Sequence, residues 1–270
     1  MWFILPTISK AYSRNNMSVL NRDGIEIYYE VYGQGPPLLL THGYSATSKM
    51  WNPNIEALSE NHTVITWDMR GHGQSDSPKD NLAYSETLTT ADMAALLFHL
   101  GHESAIVGGL SLGGYMSLAF YADYPEMVEA LLIIDTGPGF KQDAARDAWN
   151  RMAIARAEVI ERDEKKALES RSPEQTMATH KDLQGLAFAA RNMLTQYTSR
   201  VIKSLPQIEV PSIVVVGGDD EPFLIASDYM ALKIPHATKV VIPQAGHAAN
   251  IDQAELFNKA ILGFLTTHNL

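Results

Sequence analysis

Short apolar runs recur along this chain, and most are separated by stretches with helical spacing. They fall at residues 18–20, 25–32, 38–40, 64–67, 105–107, 131–134, 213–216 and 239–242. From the third onward they are apolar on both faces, as strands in the middle of a parallel sheet must be. The first two are joined through Asn21-Arg22-Asp23-Gly24, whose Asp-Gly pair favours a tight hairpin. Residues 85–100, with Leu88, Ala91, Leu96 and Leu100, read as a helix, as do 112–124 and 252–265. The alternation predicts an α/β architecture with helices on both faces of one sheet.

Between Asp135 and Pro211 the alternation stops, too long a gap for a plain loop, so a helical insertion is expected. Ala145, Trp149, Met152, Ala153, Val159 and Ile160 form one apolar stripe, opposed by the pairs Glu158 with Arg162 and Glu161 with Lys165. Pro173 should end this helix and a second should span 181–200. Gly137-Pro138-Gly139 and the prolines at 206 and 211 mark the joints. The expected organisation is a core of residues 17–135 and 207–270, a helical cap at 136–206, and a disordered leader at 1–16. Met152, Met177, Phe188, Met193 and Tyr197 are candidates to line a pocket beneath the cap.

A net charge of -10 repels phosphate backbones and anionic lipid, which argues against a nucleic-acid partner. With 46% hydrophobic and 19% charged residues the chain is too apolar to stay disordered. Cys 0 excludes thiol nucleophiles, thiolate metal sites and disulfides. No apolar run is long enough to span a bilayer, and the first residues lack the basic start of a secretory signal, so a soluble, cytoplasmic protein is expected.

The string Gly108-Gly109-Leu110-Ser111-Leu112-Gly113-Gly114 holds a GxSxG pattern directly after a strand and before a helix. That turn needs neighbours without a Cβ, and it would expose the Ser111 hydroxyl near the positive end of a helix. A serine hydroxyl needs a histidine base, and the base needs a carboxylate to hold its tautomer. His247, after the last strand, is the candidate base, while His62, His99, His102, His180, His236 and His268 read as solvated and His72 as a turn former. The acid is expected in Gly217-Gly218-Asp219-Asp220-Glu221-Pro222, with Asp220 preferred over Asp219 and Glu221, and Asp135 as an outside alternative. No further histidine or carboxylate stands at ligand spacing for a metal. Leu112 and Tyr44, in Thr41-His42-Gly43-Tyr44, are the candidate oxyanion amides, with His42 bracing their loop.

These motifs, with Asp68-Met69-Arg70-Gly71-His72-Gly73-Gln74-Ser75 and Ala245-Gly246-His247-Ala248-Ala249-Asn250, resemble the α/β-hydrolase superfamily over nearly all of the chain after Met17. The resemblance implies an eight-stranded, mostly parallel sheet, a helical cap after the sixth strand, and a Ser111, Asp220 and His247 triad. It also implies the acid three residues after Gly217, which selects Asp220. A serine rather than a carboxylate at the elbow argues against epoxide-hydrolase and dehalogenase chemistry. The expected activity is cofactor-free hydrolysis of a small-molecule apolar ester or lactone. Carbon-carbon bond hydrolysis, perhydrolysis and an idle small-molecule receptor are the alternatives.

Overall fold

The computed structural model describes residues 18–164 and 172–270; the leader at 1–16 and Lys165 lie outside them. Eight strands form one sheet: β1 (Ser18–Arg22), β2 (Ile25–Tyr32), β3 (Pro37–Thr41), β4 (Thr63–Trp67), β5 (Ala105–Leu110), β6 (Val128–Ile134), β7 (Ser212–Gly217) and β8 (Ala237–Ile242). Their order is β1-β2-β4-β3-β5-β6-β7-β8. β1 pairs antiparallel with β2, and β2 antiparallel with β4; every other pairing is parallel. All eight apolar runs read from the sequence are strands of this sheet, which is mixed only at its β1-β2 end.

Period-two alternation along the strands builds two cores. Leu38, Leu40, Ile106, Leu132 and Val215 face α1 (Asn52–Leu58) and the C-terminal helix, whose Phe257, Ile261 and Phe264 complete that layer. Leu39, Ile65, Val107, Leu131 and Val214 face the other way, onto α2 (Glu86–His99) and α3 (Leu112–Asp123). Gly109 and Gly113 allow α3 to close onto β5 and β3: a methyl at Gly109 would strike the Gly113 backbone, and one at Gly113 would strike the Thr41 carbonyl.

Between β6 and β7 lie α4 (Asp143–Arg162), α5 (Pro173–Thr176), α6 (Leu183–Ala189) and α7 (Arg200–Ser204). α4 is the long amphipathic helix the sequence predicts, and it buries Ala153, Ala157 and Ile160. The second expected helix, 181–200, is broken. After α6 the chain widens into a single π-helical stretch at Ala190–Leu194 and turns extended at Thr195. Arg191 of this stretch pairs with Glu161 of α4. After β7 comes α8 (Glu221–Lys233), and after β8 a short α9 (Ala249–Asp252) precedes α10 (Ala254–Thr267), the final helix expected at 252–265. Among the described residues no helix is long and apolar enough to cross a membrane.

Candidate active site

Parallel strands put their carboxyl ends on one edge, and ligands bind in the crevice beyond that edge. Here the edge carries Gly43 and Tyr44 after β3, Ser111 after β5, Asp135 after β6, Asp220 after β7 and His247 after β8. Ser111 stands at φ 56 and ψ -118, a conformation that costs a non-glycine residue about 1–3 kcal/mol. The surroundings hold it there. Its amide donates to Ile134 O at 2.9 Å, and its carbonyl accepts from Tyr115 N at 3.0 Å and from Thr136 Oγ1 at 2.6 Å.

Ser111, Asp220, His247 and Tyr44 all line one cavity of about 720 Å³. His247 Nδ1 and Asp220 Oδ2 are 2.9 Å apart. Phe223 stacks on the imidazole with ring centroids 4.9 Å apart, fixing the ring plane. Burial works against protonating His247, but the hydrogen bond and charge of Asp220, with the charges of Asp135 and Glu174, outweigh it and hold its pKa above the ordinary 6.5. The other two candidate acids do not meet the ring: Asp219 donates its amide to Ala245 O, and Glu221 is an exposed residue opening α8.

Asp135 is also not the imidazole's hydrogen-bond partner. Its Oδ1 accepts from Gly217 N at 2.7 Å and its Oδ2 from Ala249 N at 3.3 Å, tying the ends of β6 and β7 to the start of α9. Burial pushes this carboxyl up to about 8, against the pull of both amides.

Leu112 is the first residue of α3, so its amide is among those without a partner inside the helix. It lines a second, smaller apolar cavity of about 180 Å³ that also touches Ser111. Tyr44 is held from both ends: its hydroxyl donates to Leu186 O at 3.0 Å, and its loop is set by His42. His42 Nε2 accepts from Met69 N at 3.0 Å, so Nδ1 carries the proton and donates to Gly43 O at 2.7 Å. Burial lowers this imidazole to about 4, which keeps it neutral and in that tautomer.

Several expectations need correction. His62 is 3% exposed, with Nδ1 3.3 Å from Leu58 O, not a solvated residue. His180 is half-buried; its Nδ1 accepts from Gly73 N at 2.9 Å, and its Nε2 lies 3.2 Å from Ser45 O. His72 does sit in a turn, but its ring is buried against His42, Tyr44 and His180. Of the five side chains expected beneath the helices, only Met152 lines the large cavity. Met193 is buried in packing, Phe188 packs on Tyr84, and Tyr197 is 71% exposed. The wall also includes Trp149, Arg156, Val159, Ile160, Glu174 and Gln175, of which Arg156, Glu174 and Gln175 carried no sequence signal.

The sequence model of the alpha/beta hydrolase fold matches residues 36–170, half of the chain. The chain belongs to the α/β-hydrolase fold family. Among solved α/β-hydrolase structures, a thermophilic esterase from Thermogutta terrifontis is 28% identical with a TM-score of 0.73, covering 93% of this chain and 97% of its own. The enol-lactonase from Burkholderia xenovorans LB400 is 26% identical with a TM-score of 0.73, covering 92% and 100%. Among curated relatives, the dihydrolipoyllysine-residue acetyltransferase component of the acetoin cleaving system of Pseudomonas putida is 31% identical over 89% of this chain and 66% of its own.

Proposed function

We propose that this α/β-hydrolase cleaves a carboxylic ester or lactone through an acyl-enzyme on Ser111. The observation that carries this reading is a strained serine sharing one cavity with an imidazole whose far nitrogen is held by a buried carboxylate. With Nδ1–H directed to Asp220, the Nε2 lone pair is the one available to take the Ser111 proton as Oγ attacks the carbonyl carbon. The negative charge that develops on the carbonyl oxygen is met by the amides of Leu112 and Tyr44. His247 then returns its proton to the leaving alcohol, and water deacylates the serine by the same route in reverse.

The helical segment acts as a lid in this scheme. Trp149, Met152, Val159 and Ile160 on α4 supply apolar wall opposite Ser111, suiting an apolar substrate of small to medium size. The likeness to an esterase and an enol-lactonase supports acyl chemistry, with either a linear or a cyclic ester as substrate. The test is a series of chromogenic esters and lactones given to the parent protein and to Ser111→Ala, with mass spectrometry of the protein after a fluorophosphonate probe. Turnover abolished by the substitution, with the probe's mass on Ser111, supports the reading. Unchanged turnover in Ser111→Ala overturns it.

A further inference from the structure

One carboxylate in the cavity plays no part in the chemistry set out above. Glu174 sits on the single turn of α5 and is 3% exposed. Ser172 Oγ donates to its Oε1, whereas Oε2 is buried with no hydrogen-bond partner among the described residues. A carboxylate oxygen withdrawn from water and given no donor is unfavourable, and such groups persist where something else compensates them.

The segment that carries Glu174 is tethered over the site. Gln175 Nε2 reaches Tyr44 O at 3.5 Å, and Lys181 N donates to Gly73 O at 3.0 Å. α5 packs on α9, which starts two residues after His247. Glu174 thus lines the cavity together with His247. Arg156 lines it too, yet among the described residues the two form no ion pair. Among the described residues that line the cavity, the other side chain able to carry positive charge is His247, when it accepts the serine proton.

We infer that Glu174 is a positioning residue, a buried anion brought in by the helical segment to stabilise the His247 imidazolium as it forms. This rests on the reading of His247 as the base. As the Oγ–carbon bond forms, the proton passes from Ser111 Oγ to His247 Nε2; Glu174 takes no proton and forms no covalent bond. Its field adds to that of Asp220, hydrogen-bonded to the imidazole, and strengthens the base. Among the described residues, Arg156 on α4 also lines the cavity, and Asp252 on α9, five residues after His247, is engaged by Gly246 N at 2.8 Å. The strength of the base then depends on α5 being seated.

The experiment compares the parent with Glu174→Gln and with Glu174→Met, which removes the charge and the unpartnered oxygen together and should fold at least as well. The His247 imidazole is titrated by NMR in a Ser111→Ala background, and kcat/KM is followed against pH with Ser111 present. Both variants should lower the His247 pKa by about half a unit or more. The acid limb should move to lower pH by the same amount, with kcat on the plateau reduced about three- to tenfold and KM little changed. Glu161→Gln, which removes an exposed charge paired with Arg191, should leave the titration where it was. Coincident His247 titrations in the parent and both folded Glu174 variants overturn the inference, even if esterase activity is intact. A shifted titration in a protein that turns over no ester supports the inference and refutes the proposed reaction instead.

Discussion

Asp220 Oδ2 lies 2.9 Å from His247 Nδ1, and the two residues arrive on loops that follow the paired strands β7 and β8. The strand register therefore brings this carboxylate and this imidazole together. It also separates Asp220 from its neighbours, since Asp219 is turned to bond Ala245 O and Glu221 opens a helix at the surface. Asp220→Asn should lower kcat about 10⁴-fold by leaving the imidazole in the wrong tautomer. Asp219→Asn and Glu221→Gln should change kcat by about twofold or less. Steady-state kinetics on one good ester decides this, and comparable losses at all three positions would refute the assignment of Asp220.

Asp135 tests a different function of a carboxylate at the same edge. Its two oxygens satisfy the amides of Gly217 and Ala249, both in buried backbone. Asp135→Ala strands both donors, and should cost about 2–6 kcal/mol of stability, each unpaired buried group contributing about 1–3. The denaturant midpoint should fall with its slope unchanged. A midpoint equal to the parent's would show that these two bonds contribute nothing.

The strands were legible because each central one is buried on both faces, so Leu38 and Leu40 had to be apolar toward one layer and Leu39 toward the other. The positions of Ser111 and His247 were legible too, since a glycine-flanked serine between strand and helix and a histidine after the last strand are local patterns. What local pattern could not show was burial created by distant packing. His62 and His180 are polar residues whose neighbours come from elsewhere in the chain, and Glu174 faces the cavity only because α5 packs on α9. The helix expected at 181–200 failed for a related reason. Its residues suit a helix, but Trp149 Nε1 takes Leu194 O as acceptor at 2.7 Å and Asn150 Oδ1 accepts from Gln196 N at 2.7 Å, so contacts to α4 compete with continued helix.

The layer formed by α1 and α10 is remote from the cavity and can be loosened independently of it. Phe257 is 1% exposed and meets the Trp51 ring at 6.5 Å between centroids. Phe257→Ala should destabilise the protein by about 3–5 kcal/mol through lost burial and a residual cavity. Thermal melts should show a lower Tm, while kcat per folded molecule well below the melt stays near the parent value. A large loss of kcat in the folded variant would mean that this layer also holds the site in shape.

The dependence of activity on pH follows from the environment of His247. From the sequence alone, a base of ordinary strength would lose activity below about pH 6. The structure moves that limit upward, because Asp220, Asp135 and Glu174 favour the imidazolium more than burial opposes it. The base works only when neutral, so kcat/KM should rise with pH through the folded-state pKa and reach half its plateau above 6.5. Stability should run the other way. A histidine whose pKa is raised by folding binds its proton more tightly in the native state, so its contribution is fully present below the unfolded value of 6.5 and is lost as pH rises through the folded one. In Asp220→Asn the hydrogen-bonded charge is gone, and both the acid limb and the stability slope should move toward lower pH. A pH–rate profile and denaturant midpoints across the same interval check the two signs together; an acid limb below 6.5 in the parent would contradict the arrangement of carboxylates around the ring.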